Sequence, residues 1–195
     1  MAGQKMTGII LAGGKNYRMG TNKAFLEIGG VRLIDRTIRL FQGIFEEIII
    51  VANSPLLYLD HDVTVVTDFF KDSGPLSGLY SGLFFAAGNH AFVCPCDMPF
   101  LDGPFIEHMI KLTVDHDILV PDSGDGLQPL HAIYGKKCLP AAKKMIERGN
   151  LKIIDMYKGL NVLTITGNII DLFDPARRMF FNVNTHEDMK KILTV

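Results

Sequence analysis

The chain has 195 residues, of which 48% are hydrophobic, and its 20 basic and 21 acidic residues give a net charge of −1. This length and apolar content are typical of one globular domain, residues 1–195, with a continuous core. Basic and acidic residues are interspersed, so the sequence predicts no basic surface for nucleic acid. No apolar run reaches the ~20 residues of a membrane span, so we also expect no membrane association.

The first predicted element is a buried strand, Thr7 to Leu11, that runs directly into a loop of small and basic residues. Gly13 and Gly14 lack a Cβ atom, so their N–H groups can approach phosphate oxygens closely. Arg18 and Lys23 bring two cations to the same loop. The pattern therefore predicts a site for a phosphate chain.

This loop matches neither of the common nucleotide fingerprints. It contains no Gly-Lys-Ser/Thr, and its adjacent glycines do not fit G-x-G-x-x-G. A plain glycine turn with two solvated cations is the alternative interpretation. The combination of adjacent glycines, Arg18, Gly20 and Lys23 at one strand end favours phosphate binding.

Strands and helices then alternate along the chain. An amphipathic helix is predicted over Val31–Phe41, and short apolar strands over Glu47–Ala52 and Val63–Thr67. Alternation of this kind indicates an α/β fold with a mostly parallel sheet, whose ligands collect at the carboxyl ends of the strands. Asn53 and Asp68 follow two of those ends and are therefore candidate site residues.

The next predicted helix, from Gly74 to about Ala87, is rich in small residues in its first two turns. Two helical glycines, Gly78 and Gly82, each cost about 1 kcal/mol relative to alanine, which indicates that something packs very close. A purine or ribose and the sheet itself explain the small side chains equally well, and both interpretations stay open here.

A fourth strand, Ala91–Cys94, is followed by Asp97. A carboxylate beyond the end of a central strand, in a sheet whose other strand ends carry a phosphate loop, is well placed to hold Mg²⁺ between protein and phosphates. A turn-capping Asp before Pro99 is the alternative. Together with the phosphate loop, the position favours a metal ligand.

The cysteines, at positions 94, 96 and 138, form no C-x-x-C pair. Cys94-Pro95-Cys96 without partner ligands is interpreted as packing rather than as a metal or redox pair. Since no apolar signal segment precedes Thr7, we expect a reducing, cytoplasmic setting.

The second half of the chain is less informative. Helices are predicted over 103–113 and 138–147 and from His186, and strands over 118–120, 129–134 and 162–165. His131 on its strand has the ordinary interpretation of a packed or surface histidine. Asn184, three residues before Glu187, is interpreted as the cap of the last helix.

The residues contain no recognisable Ser/His/Asp set or activated cysteine, so direct in-line displacement at a phosphorus is the simplest reaction for this loop, its cations and Asp97. An ionised phosphate nucleophile requires no strong general base. Catalysis would then consist of positioning and of electrostatic stabilisation by Lys23 and Arg18.

Several motifs resemble the MobA family of nucleotidyltransferases, which includes molybdenum cofactor guanylyltransferase. The segment 11–23 is similar to the family's L-A-G-G-x-x-x-R-M-G-x-[DN]-K signature. Further similar motifs are G-P-L-S-G at 74–78, D-M-P-F at 97–100, Q-P-L-H at 128–131 and N-V-N-T at 182–185. The specific part of the resemblance covers residues 1–105.

The resemblance implies a single-domain, Rossmann-like three-layer α/β/α fold of the nucleotide-diphospho-sugar transferase type. It assigns nucleotide binding to residues 1–105 and acceptor binding to residues 106–195. The nucleotide contacts it implies are Leu11, Ala12, Gly13, Gly14, Lys23, Asn53, Asp68 and Asp97, with Asp97 binding Mg²⁺. His131 and Asn182 would face the acceptor.

The resemblance also implies the reaction: GMP passes from GTP to the phosphate of molybdenum-bound molybdopterin, which gives the guanine dinucleotide cofactor and pyrophosphate. The alternatives are a CTP-dependent molybdopterin cytidylyltransferase, a sugar-phosphate nucleotidyltransferase, or a non-enzymatic guanine-nucleotide-binding cofactor carrier. Other proteins of cofactor biosynthesis or molybdoenzyme maturation are candidate partners.

Overall fold

The structure is a computed structural model that describes residues 6–13 and 22–193. Its strands are β1 (Met6–Leu11), β2 (Glu27–Ile28), β3 (Val31–Arg32), β4 (Glu47–Val51), β5 (Thr64–Val66), β6 (His90–Pro95), β7 (Ile118–Pro121), β8 (Ala132–Gly135) and β9 (Val162–Ile165). Its α-helices are α1 (Leu33–Gln42), α2 (Gly74–Phe85), α3 (Gly103–Lys111), α4 (Leu139–Glu147), α5 (Gly167–Ile170) and α6 (His186–Leu193).

Seven of the strands form the central sheet, in the order β5-β4-β1-β6-β8-β7-β9. Strand β8 is antiparallel to both of its neighbours, β6 and β7, and the other strand pairs of the sheet are parallel. The prediction of an α/β fold with a mostly parallel sheet is confirmed. The carboxyl ends of β1, β4, β5 and β6 therefore lie at one edge of the sheet.

Two apolar cores lie on opposite faces of this sheet, because successive side chains of a strand point to opposite faces. Ile10 of β1 packs with residues of α1 and α3 in one core. Its neighbours Ile9 and Leu11 pack with α2 and α4 in the other core. The molecule thus has the three layers, helix, sheet and helix, that the resemblance implied.

Two short elements differ from the sequence-based expectations. Residues Val31–Arg32, predicted to begin a helix, pair instead with Glu27–Ile28 in a two-stranded antiparallel ribbon, β2–β3. Gly29 and Gly30 supply the positive φ angles of 59° and 75° that this tight turn requires. The helix α5 was not predicted, because four residues are too few to show a helical period.

The three cysteines are buried. Burial raises the pKa of the Cys96 thiol to about 12, so it stays protonated and packs as a small apolar side chain. Within residues 6–13 and 22–193, none of the helices has the length and apolar character needed to cross a membrane.

Candidate active site

A cavity of about 780 Å³ opens at the carboxyl ends of the parallel strands, a volume in the range of small-molecule sites. Gly13 lines it after β1, Asn53 after β4, Asp68 after β5 and Asp97 after β6. Four residues that the sequence placed at separate strand ends are thus brought together. We call this space the strand-end cavity.

The start of the glycine loop lies close to the residues that follow β4 and β5. A Cβ atom added at Gly13 would lie 3.6 Å from Asp68 Oδ2 and 3.7 Å from Asn53 Nδ2. The N–H of Ala12 donates to the carbonyl of Val51 at 2.8 Å, which holds the loop against β4. Leu11 also lines the cavity, whereas the Ala12 side chain is buried behind it.

Two of the predicted loop residues, Gly14 and Arg18, lie outside the described residues. The description of the chain resumes at Asn22, whose side chain accepts a hydrogen bond from the N–H of Ala24 at 3.1 Å. This bond caps the short 3₁₀ helix Lys23–Phe25 and so fixes the direction in which Lys23 leaves the backbone.

Lys23 lies between two acceptors at the cavity wall. Its Nζ atom donates to Asn184 Oδ1 at 2.8 Å and to Asp97 Oδ2 at 3.2 Å. The exposed fraction of the side chain is only 7% for Lys23 and 16% for Asp97, so the pair is shielded from water and interacts strongly. Both acceptors line the strand-end cavity, so Lys23 lies directly behind its wall, where a cation is suited to attract a phosphate oxygen.

Burial shifts the pKa of two carboxyl groups in this cavity. It raises the pKa of Asp97, against the opposing effect of the nearby Lys23 cation, and it raises the pKa of Asp68. Asp68 Oδ1 is also buried, and no described residue donates a hydrogen bond to it. A ligand that donates a hydrogen bond to Asp68 would therefore satisfy an acceptor that the protein leaves open.

The residues at Asp97 fit a magnesium ion held jointly by protein and nucleotide. Among the described residues no group of three His, Cys, Asp or Glu side chains could hold a metal ion by itself. Mg²⁺ in nucleotide enzymes is usually bound by one or two carboxylates together with substrate phosphates and water. Asp97 supplies one such carboxylate at the cavity wall.

The other end of the strand-end cavity is formed by residues from the second half of the chain. Leu130, Asn182 and Asn184 line it there. The N–H of Val183 donates to the carbonyl of Asp97 at 2.9 Å, which fixes this segment beside β6. Asn182, predicted to face the acceptor, thus reaches the same cavity as the nucleotide-half residues.

A second cavity of about 370 Å³ shares no lining residue with the strand-end cavity. Its wall includes Phe100, Gln128, Arg178 and Phe181, and the Arg178 guanidinium lies 5.3 Å from the centre of the Phe100 ring. Leu130, two residues after Gln128, and Asn182, the residue after Phe181, line the strand-end cavity.

His131 does not reach either cavity, so its expected position on the acceptor side is corrected. Its side chain has no exposed surface and packs against the rings of Phe92, Phe105 and Phe180. No described residue forms a hydrogen bond with either ring nitrogen. Burial lowers the pKa of His131 to about 3, which leaves it a neutral core residue.

Asn184, which the sequence interpretation assigned to helix capping, lines the strand-end cavity and accepts from Lys23. The reciprocal cap of α6 is formed instead by Thr185 and Asp188, since each side chain accepts from the other's backbone N–H. Asn182 and Asn184 are two residues apart and both line the strand-end cavity. That spacing was the signal that could have identified both.

The glycines of α2 have a structural explanation. A Cβ atom at Gly82 would lie 2.7 Å from Ile9 Cγ2, so close packing on the sheet requires glycine there. At Gly78 the nearest atoms would be Leu11 Cδ2 at 3.1 Å and Asp68 Oδ1 at 3.6 Å. The sheet thus accounts for Gly82, whereas Gly78 packs on the sheet and also lines the cavity.

Comparisons with known proteins agree with this geometry. The family model of the MobA-like NTP transferase domain matches residues 8–160. Molybdenum cofactor guanylyltransferase of Desulfosudis oleivorans is 38% identical over 188 residues, which cover 95% of this chain and 93% of the relative. A probable molybdenum cofactor guanylyltransferase of Peptoclostridium acidaminophilum is 36% identical, with 97% and 90% coverage.

Among solved structures, molybdopterin-guanine dinucleotide biosynthesis protein A from Archaeoglobus fulgidus superposes with a TM-score of 0.84. It is 25% identical and the match covers 96% of this chain and 97% of that chain. Both the sequence and the fold are therefore similar to this group of nucleotidyltransferases over nearly the whole length.

Proposed function

Because the chain belongs to the MobA-like NTP transferase family, we propose that it transfers GMP from GTP to the phosphate of molybdenum-bound molybdopterin and releases pyrophosphate. The relatives at 36–38% identity carry the name of guanylyltransferases, which supports GTP over CTP as the donor. The single observation that carries the proposal is the convergence of Gly13, Asp68 and Asp97 at one cavity, with the Lys23 ammonium bonded to Asp97.

In this proposal Gly13, Asn53 and Asp68 hold the nucleoside part of GTP, and Lys23 binds its phosphates. Asp68 offers an open, buried acceptor to a donor group of the nucleoside. Lys23 is fixed by two acceptors before the ligand arrives, so little reorganisation is needed when negative charge develops. Asp97 would hold Mg²⁺, which neutralises phosphate charge when it is bound.

The acceptor is proposed to lie on the side of residues 106–195, near Asn182 and Leu130. These two residues share the strand-end cavity with the nucleotide-half residues, so an acceptor phosphate there would be close to the phosphates of GTP. A phosphate oxygen of the acceptor attacks the α-phosphorus and pyrophosphate leaves. Since that oxygen is already ionised at neutral pH, the chain need not supply a strong base.

The proposal is tested by incubating the purified chain with free molybdopterin, molybdate, Mg²⁺ and α-labelled GTP or CTP. We expect labelled dinucleotide from GTP, and a loss of at least 100-fold in rate for Asp97→Ala. Asp62→Ala, which removes an exposed carboxylate outside the cavity, is the matched control and should retain full activity.

Transfer of CMP but not GMP would contradict the choice of donor. A folded Asp97→Ala protein with unchanged turnover would show that this carboxylate does not take part. Tight GTP binding with no transfer under any of these conditions would identify a nucleotide-binding carrier instead.

A further inference from the structure

The loop between β5 and α2 carries Asp68 and forms one wall of the strand-end cavity. Besides Asp68, this wall includes Asp72, Gly74 and Pro75. A Cβ atom added at Gly13 or at Gly78 would lie 3.6 Å from one of the Asp68 carboxylate oxygens. The carboxylate therefore lies beside the backbone of both glycines, and its position in the cavity depends on the position of the loop that carries it.

Two serines of α2 hold the backbone of this loop immediately after Asp68. The N–H of Phe69 donates to Ser81 Oγ at 3.0 Å, and the N–H of Phe70 donates to Ser77 Oγ at 3.3 Å. Ser77 and Ser81 are one helical turn apart, so both hydroxyls face the loop. Neither serine has any exposed surface.

Simple packing does not explain these hydroxyls. Alanine is a better helix former than serine and would fill nearly the same space. The ring of Phe69 packs on the outer side of α2, against Phe84 and Phe85, but it remains 49% exposed. The serine oxygens thus add hydrogen bonds to the loop backbone that the ring contact does not supply.

We propose that Ser81, assisted by Ser77, is a positioning residue for the donor nucleotide and acts through Asp68. This inference rests on the proposed function, because it takes Asp68 to contact the nucleoside. It adds two α2 hydroxyls that determine how tightly the nucleotide is bound, without a role in the transfer step itself.

The test measures binding of a non-hydrolysable GTP analogue with Mg²⁺ by calorimetry on the full chain. Ser81→Ala is expected to weaken binding by about tenfold, the effect of one lost hydrogen bond of ~1.4 kcal/mol. Ser77→Ala should have a smaller effect, because its bond is longer. Ser73→Ala, in the same loop, should bind like the wild type, since its hydroxyl donates to the exposed carbonyl of Lys71 within the loop itself.

A double-mutant cycle separates positioning of Asp68 from a general loss of structure. In an Asp68→Ala background, Ser81→Ala should weaken binding by less than twofold, because the group that it positions is gone. In steady-state transfer assays, Ser81→Ala should raise the KM for GTP about tenfold and change kcat by less than twofold.

Unchanged binding in Ser81→Ala, or an equal loss in both backgrounds, would overturn the inference. If Asp68→Ala binds the analogue as tightly as the wild type does, Asp68 has no role in nucleotide binding. That result would refute its part in the proposed function and this inference with it. If Asp68→Ala weakens binding of the analogue but Ser81→Ala does not, only the positioning role of Ser81 is refuted.

Discussion

His131 shows how a single buried titratable group makes stability depend on pH. Its pKa is about 3 in the folded protein because the ring is fully buried, against about 6.5 in an unfolded chain. Below pH 6.5 the His131 ring binds a proton in the unfolded state but remains neutral in the folded state. The free energy of unfolding therefore falls as the pH is lowered from 6.5 towards 3, by about 1.4 kcal/mol per pH unit from this group.

Replacement of His131 by Phe should remove this dependence. The surrounding rings of Phe92, Phe105 and Phe180 suit an aromatic side chain, and Phe has no ring nitrogens to leave without partners. Between pH 7 and pH 5 we expect the free energy of unfolding to fall by about 2 kcal/mol less in His131→Phe than in the wild type. Urea unfolding at several pH values measures this difference, and parallel curves for the two proteins would contradict it.

At the scale of residues, the sequence predicts the position of side chains that directly follow strand ends. It does not predict the position of side chains whose placement depends on contacts with residues far away in the chain. Asn53, Asp68 and Asp97 were expected at one edge because parallel strands bring their carboxyl ends together, and all three line the strand-end cavity. Asn184 was misassigned because its local pattern resembles a helix cap, and only the folded chain brings it to Lys23, 161 residues away. Whether His131 is buried likewise depends on rings far along the chain.

The contact between α2 and the sheet illustrates the same limit for elements. The small residues of α2 predicted a close approach, but the sequence did not say what approaches. In the structure a Cβ atom at Gly82 would lie 2.7 Å from Ile9 Cγ2 and 3.1 Å from Val51 Cγ2. Both are methyl groups on branched side chains of the sheet, which cannot move aside easily.

Gly82→Ala should therefore destabilise the protein even though alanine is the better helix former. Alanine should stabilise the helix by about 1 kcal/mol through its helix propensity. We expect the cost of overpacking against the sheet, about 2–3 kcal/mol, to exceed this gain. The net loss, about 1–2 kcal/mol, is measured by urea unfolding. Gly43→Ala, at the end of α1 where the nearest atom is Leu40 O at 3.5 Å, is the control and should change stability by less than ~0.5 kcal/mol. An equally stable Gly82→Ala would contradict the packing argument.

Most longer elements were predictable, because their apolar periods extend over enough residues. The ribbon β2–β3 and the helix α5 were not, since two-residue strands and a four-residue helix have no period to detect. Local sequence patterns also could not predict that β8 is antiparallel to its neighbours. It depends on pairing with β6, whose residues are about forty positions earlier in the chain.

At the scale of the whole molecule, the strand order explains why the cavity lies where it does. From β1 the chain adds β4 and β5 on one side of the sheet and then crosses to add β6 on the other. The crevice between β1 and β6 is thus a topological switch point, the usual ligand site of open α/β sheets. Gly13 and Asp97 follow these two strands, so the fold itself places both residues at this crevice.

The most direct test of this account is a crystal structure of the chain with GTP and Mg²⁺. We predict the triphosphate in the strand-end cavity between Gly13 and Asp97, with a phosphate oxygen within about 3 Å of Lys23 Nζ and a nucleoside group donating to Asp68. GTP bound in the second cavity, or with its phosphates away from Lys23 and Asp97, would contradict the central claim.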